Sequence, residues 1–156
     1  PELATTENKE SAIALSKNSL LFEEFFMQEV AKGNIDKSDF KHGKRLIKLH
    51  GHCQQKAVAS TTPTKQMLAF PEGNSVTEIP SGCCGMAGSF GYENEHYKLS
   101  LKVGELVLFP AVRSASAETI IVAPGTSCRH QIKDGTGKTA LHPIEVMWNA
   151  AFGQIE

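Results

Sequence analysis

The chain has 156 residues, and its content of 40% hydrophobic and 21% charged residues is typical of one globular domain with a real core. The formal net charge of −1 gives no reason to expect nucleic acid or an anionic membrane surface as a partner. No apolar run reaches the roughly 20 residues that a membrane-spanning helix requires, so we expect no transmembrane segment.

Helix and strand patterns alternate along the chain. The predicted elements are, in chain order, a helix over 11–32 that ends at Gly33, a strand over 45–50, a helix over 53–70 in two pieces that meet near Pro63, a strand over 75–79, a helix over 93–113 with a break or kink at Pro110, a strand over 119–123 and a last helix from Pro143. Because strands that alternate with helices form parallel sheets, we predict an α/β fold with a three-layer, mainly parallel sheet flanked by helices.

The polar, turn-rich segment over 33–44 is typical of a connection. We therefore expect one domain, with a helical N-terminal extension over 1–40 and a core that carries the cysteines over 41–153. The first residues, PELATTENKESAIAL, contain neither an initiator methionine nor the pattern of a signal peptide. We expect the chain to be a piece of a longer protein, or a processed one.

The four cysteines follow the C-terminal ends of the predicted strands. Cys53 follows the first strand, the adjacent pair Cys83 and Cys84 follows the second, and Cys128 follows the third. In a parallel sheet these strand ends lie at one edge, where ligand sites gather, so we predict that the three cysteine loops meet there. Four cysteines are too few for a disulfide scaffold, which favours the reducing cytoplasm, where cysteines more often bind metal or react.

The paired cysteines stand between Gly82 and Gly85. Neighbouring side chains of a regular strand point to opposite faces, but a glycine-flanked turn removes that restriction. Both thiolates can then bind a polynuclear cluster, or Cys84 can bind while Cys83 packs or bridges. A disulfide between the two is the strained alternative.

Three kinds of site, and one structural role, remain open from the residues alone. Four thiolates suit an iron–sulfur cluster or a tetrahedral structural zinc. Compact zinc sites usually contain C-x₂-C pairs, and the absence of such a pair here favours the cluster. A thiol-redox domain that uses Cys83 or Cys84 is the third kind, and it predicts metal-free protein with a reactive thiol. The cysteines can also be ordinary small buried side chains, although their shared position in glycine-rich loops argues against that role.

Five further residues are candidates for the site. His50, His52 and His130 lie in the cysteine loops, where a histidine can bind a metal or donate a hydrogen bond to sulfur. We rank His52 and His130 above His50, because each lies within two positions of a cysteine. Arg129 adjoins the last cysteine and can stabilise an anionic centre. His142, before the last predicted helix, can stand at a helix entrance near the site.

Four strings of the sequence are similar to one known family. HGHCQQKA, SGCCGMAGSFGYE, GTSCRHQI and ALHPIEV resemble the cysteine-rich CCG domain, which occurs in the B subunit of heterodisulfide reductases, the iron–sulfur subunit of glycolate oxidase and lactate-utilisation proteins. The likeness covers roughly 11–152. It looks strongest to the C-terminal portion of large FAD-linked oxidases of the D-lactate and D-2-hydroxyglutarate dehydrogenase type.

The resemblance implies an electron-transfer role in which Cys53, Cys83, Cys84 and Cys128 hold an iron–sulfur centre such as a 4Fe-4S cluster. It implies that FAD and a ferredoxin-like segment belong to the parent chain or complex, that a 2-hydroxy acid is oxidised there, and that this segment is not catalytic alone. Such a protein is cytoplasmic or peripheral at the inner face of the membrane. Neither the hydroxy acid nor the electron acceptor follows from the resemblance.

The chain departs from the fuller family motif at its end. That motif closes with C-x-x-C, whereas Cys128 is followed by Arg129, His130 and Gln131, and only one copy of the motif is present. The five-cysteine cluster of heterodisulfide reductases therefore does not carry over directly. Some sites of the wider family are associated with zinc, which keeps zinc open as the alternative metal.

Overall fold

The computed structural model describes residues 5–153 and shows an α/β protein with a four-stranded, all-parallel sheet flanked by helices, as predicted. The chain divides into two compact units, of which the first ends at Ile35 and the second begins at Asp36. Within residues 5–153, every helix is too short or too polar to cross a bilayer.

The first unit contains two helices where the sequence predicted one over 11–32. They are α1 (Lys9–Asn18) and α2 (Phe22–Ala31). Where α1 ends, the side chains of Asn18 and Ser19 donate hydrogen bonds to the backbone carbonyls four residues earlier. Gly33 then follows α2 with φ of +76°, which confirms it as the residue that closes this helix.

The second unit holds the sheet and its helices. Its elements in chain order are β1 (Leu46–Leu49), α3 (Cys53–Val58), α4 (Thr62–Ala69), β2 (Ser75–Glu78), α5 (Asn94–Leu106), α6 (Leu108–Arg113), β3 (Ile120–Val122), α7 (Thr126–Thr136), β4 (Ala140–Leu141) and α8 (Pro143–Ala151). Short 3₁₀ turns lie at Thr6–Asn8 in the first unit and at Lys37–Asp39 and Phe90–Tyr92 in the second. The three predicted strands and the two-piece helix around Pro63 are confirmed.

The strands lie in the order β2-β1-β3-β4. Leu49, at the end of β1, is in register with Glu78 of β2 on one side and Val122 of β3 on the other. Strands β2 and β3 therefore pair with opposite edges of β1, and the direction in which strands are added to the sheet reverses after β2. Parallel sheets bind ligands outside the carboxyl ends of the strands at such a reversal, between β1 and β3.

Two apolar clusters cover the two faces of the sheet, which makes the unit three-layered. Helices α4 and α8 pack together on one face, and α5, α6 and α7 pack together on the other. The first cluster consists of Ile47, Leu49, Leu68, Val122 and Val146. Successive residues at the end of β3 divide between the clusters, since Val122 belongs to the first, while Ile121 and Ala123, the residue directly after the strand, belong to the second.

The structure differs from the prediction at three places in the second unit. The break in the helix over 93–113 lies at Val107 and not at Pro110, because Pro110 is the third residue of α6, where an N–H would have no partner within the helix. Helix α7 was not predicted, since it is largely polar and buries few apolar side chains. Strand β4 was not predicted because two residues carry no alternation.

Candidate metal centre

The structure brings all four cysteines to the carboxyl edge of the sheet. Cys53 is the first residue of α3, Cys83 and Cys84 lie in the loop after β2, and Cys128 lies in the first turn of α7. Besides the hydrogen bond with Cys84 and burial, the charges of the other three cysteines all act to raise the pKa of Cys128, so those three sulfurs lie within electrostatic reach of Cys128. All four are free thiols, and the Cys83–Cys84 disulfide is not formed.

Three buried side chains form the inner part of this site, which we call the inner triad. The ligand atoms of His50, Cys84 and Cys128 all lie within 4.8 Å of one another. None of the three residues is more than 3% exposed. The elements account for this position, because His50 directly follows β1 and its N–H donates to the carbonyl of Val122 in β3.

The two buried thiols share a hydrogen bond. Cys128 donates to the sulfur of Cys84, which lowers the pKa of Cys84 against the opposing effect of burial, with help from His50 and the Met86 backbone N–H. The same hydrogen bond, together with burial, raises the pKa of Cys128. The hydrogen bond therefore favours the deprotonated form at Cys84 over that at Cys128.

The other two cysteines form a partly exposed part of the site, which we call the outer pair. Cys53 and Cys83 are both half-buried, and Cys53 lies close enough to Cys83 to affect its pKa. Burial raises the pKa of Cys83 and outweighs the hydrogen bond that the Gly85 N–H donates to its sulfur at 3.3 Å. The nearby charges of Cys84 and Cys53 raise it further. Solvent therefore reaches the outer pair before the inner triad.

Glycines leave room for the backbone to approach the sulfurs. A Cβ atom on Gly125 would lie 2.5 Å from the His52 ring and 3.0 Å from the sulfur of Cys128, so this residue has to be small. Gly85 has φ of +99°, which L-residues rarely adopt. This turn lets Cys83 and Cys84 point into one site, as the sequence predicted for a glycine-flanked pair.

The structure places the predicted histidines differently from their ranking, since His50 and not His52 or His130 belongs to the inner triad. His52 borders Cys128 across Gly125. His130 is exposed, and its Nδ1 atom pairs with the Tyr92 hydroxyl at 2.8 Å. Distance along the sequence from a cysteine thus does not predict which histidine belongs to the inner triad. The residue directly after a buried strand is buried more deeply than residues farther along the loop.

Arg129 and His142 have structural contacts. The guanidinium of Arg129 donates to the carbonyls of Ala123 and Pro124 at 3.1 and 2.8 Å, which braces the loop that carries Cys128. His142 caps α8, where its Nδ1 accepts a hydrogen bond from the Ile144 N–H at 3.2 Å. His142 therefore stands at a helix entrance, as predicted.

One residue of the site was not predicted from the sequence. Ser81 is 4% exposed, and its hydroxyl lies 2.7 Å from Nδ1 of His50. The available signal was its place in the SGCCG string, directly before the glycine that precedes the cysteines. A serine in a loop is usually a turn residue, so only the fold reveals its contact with a histidine from another strand.

The donor chemistry of the site fits a metal that prefers sulfur. Four thiols and one imidazole nitrogen converge, and thiolates are the ligands of iron–sulfur clusters, while mixed thiolate and imidazole sets also bind zinc. Nε2 of His50 is buried without a hydrogen-bond partner among residues 5–153. Buried polar atoms nearly always have a partner, so this nitrogen marks a place where a ligand would complete the site.

Several dehydrogenases contain a segment similar to this chain. It is 31% identical over 100 residues to the D-2-hydroxyglutarate dehydrogenase of Pantoea ananatis, which covers 64% of this chain and 10% of that protein. It is 34% identical over 103 residues to the Pseudomonas putida protein of the same name, covering 65% of this chain and 10% of that protein. It is also 30% identical over 101 residues to one subunit of the anaerobic glycerol-3-phosphate dehydrogenase of Escherichia coli, covering 65% of this chain and 25% of that relative.

The chain spans only a tenth to a quarter of the length of these relatives. No family model matches it, and no solved structure matches it. The likeness to the CCG domain thus rests on the quoted residues. What the comparisons add is that the chain is similar to parts of larger oxidoreductases, which are dehydrogenases by name.

Proposed function

We propose that this chain is an iron–sulfur-binding, electron-transfer part of a larger FAD-dependent 2-hydroxy-acid oxidoreductase. The observation that carries the proposal is the convergence of four cysteines from three separate loops at the carboxyl edge of a parallel sheet. The similarity to D-2-hydroxyglutarate dehydrogenases supports the enzyme class. The resemblance to CCG domains supports the choice of iron and sulfide.

Cys53, Cys83, Cys84 and Cys128 would hold the cluster. The glycines on either side of the cysteine pair let two neighbouring thiolates reach one centre, and the thiolate favoured at Cys84 provides a deprotonated ligand. Arg129 fixes the loop of Cys128 through backbone carbonyls. When bound, an iron–sulfur cluster accepts and donates single electrons. The buried inner triad and the partly exposed outer pair give the site a protected side and an accessible side.

The parent enzyme would supply the remaining parts. FAD and ferredoxin-like iron–sulfur domains of the same chain or complex would be the partners, and substrate oxidation would take place there. The named relatives act on D-2-hydroxyglutarate or glycerol 3-phosphate, so both compounds and D-lactate belong in a substrate panel. Free thiols at the site fit a cytoplasmic location, in solution or peripheral at the inner face of the membrane.

The deciding experiment is iron and acid-labile sulfide analysis, with a visible spectrum, on protein purified without oxygen. We expect brown protein that contains iron and sulfide, and we expect Cys84→Ser to lose both. Ser127→Ala, next to Cys128 but without a thiol, is the matched control and should keep them. Protein that takes up no iron after anaerobic reconstitution would overturn the proposal.

One observation favours structural zinc as the second candidate. The inner triad combines two thiols with an imidazole, and zinc binds such mixed sulfur and nitrogen sets at tetrahedral sites. Colourless protein with one zinc per chain and no sulfide would support this candidate. Metal-free protein with rapid, reversible oxidation of Cys83 or Cys84 would support the thiol-redox alternative.

A further inference from the structure

His50 is the most enclosed titratable side chain of the site. It is 0% exposed, and it directly follows the central strand β1. Its two ring nitrogens have different surroundings, since Nδ1 lies 2.7 Å from the Ser81 hydroxyl while Nε2 makes no hydrogen bond of ordinary geometry among residues 5–153. The ring nevertheless lies close enough to the sulfur of Cys84 to lower the pKa of that thiol. Yet a ligand atom of this ring lies within 4.8 Å of both Cys84 and Cys128 sulfurs.

We propose that His50 is itself a metal ligand, binding through Nε2 beside the thiolates of Cys84 and Cys128. We further propose that Ser81 is the positioning residue that makes this possible. This inference rests on the proposed function only in that it requires the site to bind a metal. It goes further by assigning a nitrogen ligand and the residue that orients it.

The arrangement of Ser81 determines which nitrogen is free to bind. A neutral imidazole carries one proton, so an Nδ1–H that donates to the Ser81 hydroxyl oxygen leaves the lone pair of Nε2 available. Metal-binding histidines commonly hold their other ring nitrogen in this way, and the contact fixes both tautomer and ring orientation. The unpartnered Nε2 is therefore the nitrogen with the geometry of a ligand.

Ser81 is itself held in place by the loop. Its backbone N–H donates to the Ile79 carbonyl at 2.7 Å, and its own carbonyl accepts a hydrogen bond from Nζ of Lys56. These contacts use the backbone and leave the hydroxyl for His50. Lys56 lies in α3, the helix that begins at Cys53, so the loop that orients His50 is tied to the helix that carries another cysteine.

A different role for the same nitrogen makes a different prediction. If Nε2 carried the proton, it would donate a hydrogen bond to a thiolate or sulfide, and Nδ1 would accept from the Ser81 hydroxyl. In that case His50 would influence the centre without binding metal. The two tautomers differ in where the proton is, and this can be measured directly.

The experiment uses Co²⁺ as the probe, added to the reduced protein under anaerobic conditions after histidine has been labelled with ¹⁵N. We expect thiolate-to-cobalt absorption and one strongly shifted, exchangeable proton on a histidine nitrogen, which is the Nδ1–H of a cobalt-bound ring. The unmodified protein gives this readout, so it does not depend on whether a variant folds. An absence of any shifted histidine N–H in cobalt-loaded protein would overturn the proposal, as would failure to bind Co²⁺.

Two variants then test the assignment to His50 and Ser81. His50→Ala should remove the shifted signal, whereas His52→Ala and His130→Ala are matched controls that should keep it. Ser81→Ala should keep the ligand but weaken Co²⁺ binding by about 10- to 100-fold, as removal of such hydrogen-bond partners does at other sites. Unchanged affinity in Ser81→Ala, or a signal that moves with His52 or His130, would contradict the assignment.

The outcome separates this inference from the proposed function. A protein that binds iron and sulfide but shows no nitrogen ligand to cobalt would keep the electron-transfer proposal and lose the histidine ligand. A protein that binds cobalt through His50 but takes up no iron would keep the histidine ligand, lose the electron-transfer proposal and favour zinc.

Discussion

Gly85, the residue after the cysteine pair, lies directly against the carbonyl oxygen of Ser100 in α5, with no room between them for a Cβ atom. The same residue has φ of +99°. A close approach and a left-handed backbone therefore coincide at the turn that carries Cys83 and Cys84. This contact connects the cysteine loop to the helix layer that covers one face of the sheet.

Gly85→Ala should destabilise the reduced, metal-free protein by about 1–3 kcal/mol, because the backbone conformation is strained for alanine and the added methyl meets a carbonyl. Urea denaturation measures the change. Gly82→Ala is the matched control, since nothing lies within 4 Å of its Cβ position. Gly88→Ala, with φ of +72° and equally open space, separates backbone strain from the clash. If Gly85→Ala and Gly88→Ala lower the free energy of unfolding by the same amount, the close approach to Ser100 does not contribute to the destabilisation.

Alkylation should distinguish the outer pair from the inner triad. In reduced, metal-free, folded protein, we expect iodoacetamide to modify Cys53 and Cys83 before Cys84 and Cys128, because the latter two are only 3% and 1% exposed. Tandem mass spectrometry locates the label within the adjacent pair. Denatured protein is the control, and in it iodoacetamide should no longer modify Cys53 and Cys83 before Cys84 and Cys128. Labelling of Cys84 first would mean that its lowered pKa outweighs burial, which would favour the thiol-redox alternative.

Glu78 should give the stability a pH-dependent component. Burial alone would raise the pKa of Glu78, but hydrogen bonds from Lys65 at 2.9 Å and from Thr61 at 3.0 Å outweigh it and lower the pKa below 4.5. A lowered pKa in the folded state means that the contribution is fully present above about pH 4.5 and is lost as the pH falls through the folded value.

Glu78→Gln should therefore lower the free energy of unfolding by about 1 kcal/mol at pH 7, a value reduced for partial exposure to solvent. The difference from the unmodified protein should shrink toward pH 3. Urea denaturation at both pH values measures it, and the exposed Glu118→Gln serves as the control. A loss of equal size at both pH values would show that the carboxylate charge is not responsible.

His142 offers a test of a structural against a ligand role. Its side chain accepts from the Ile144 N–H, while Glu145 accepts from the His142 N–H, so the two close the first turn of α8. His142→Ala should lower the free energy of unfolding by about 0.5–2 kcal/mol, and His142→Asn should lower it much less, since asparagine is a good N-cap. Thermal unfolding and metal analysis of both variants check this. Loss of metal from a stable His142→Asn protein would show instead that His142 is a ligand.

Much of the fold follows from local pattern. The run of β-branched residues at β3 and the alternation at β2 predicted strands, and the helix patterns between them predicted a parallel sheet. The sequence pattern failed to predict an element where the local polarity of the chain conflicts with how that element packs. Helix α7 has a polar sequence, yet its Cys128 and Ile132 face the core, and only their burial reveals the helical spacing.

The sequence by itself determined that the cysteine loops lie at one edge of a parallel sheet, because strand order in a helix–strand alternation forces the carboxyl ends together. Only the tertiary structure decided that His50 and not His52 or His130 enters the inner triad, and that Ser81 holds it. The physical reason is that burial and hydrogen-bond partners depend on distances between loops far apart in the chain. Spacing along the sequence does not contain those distances.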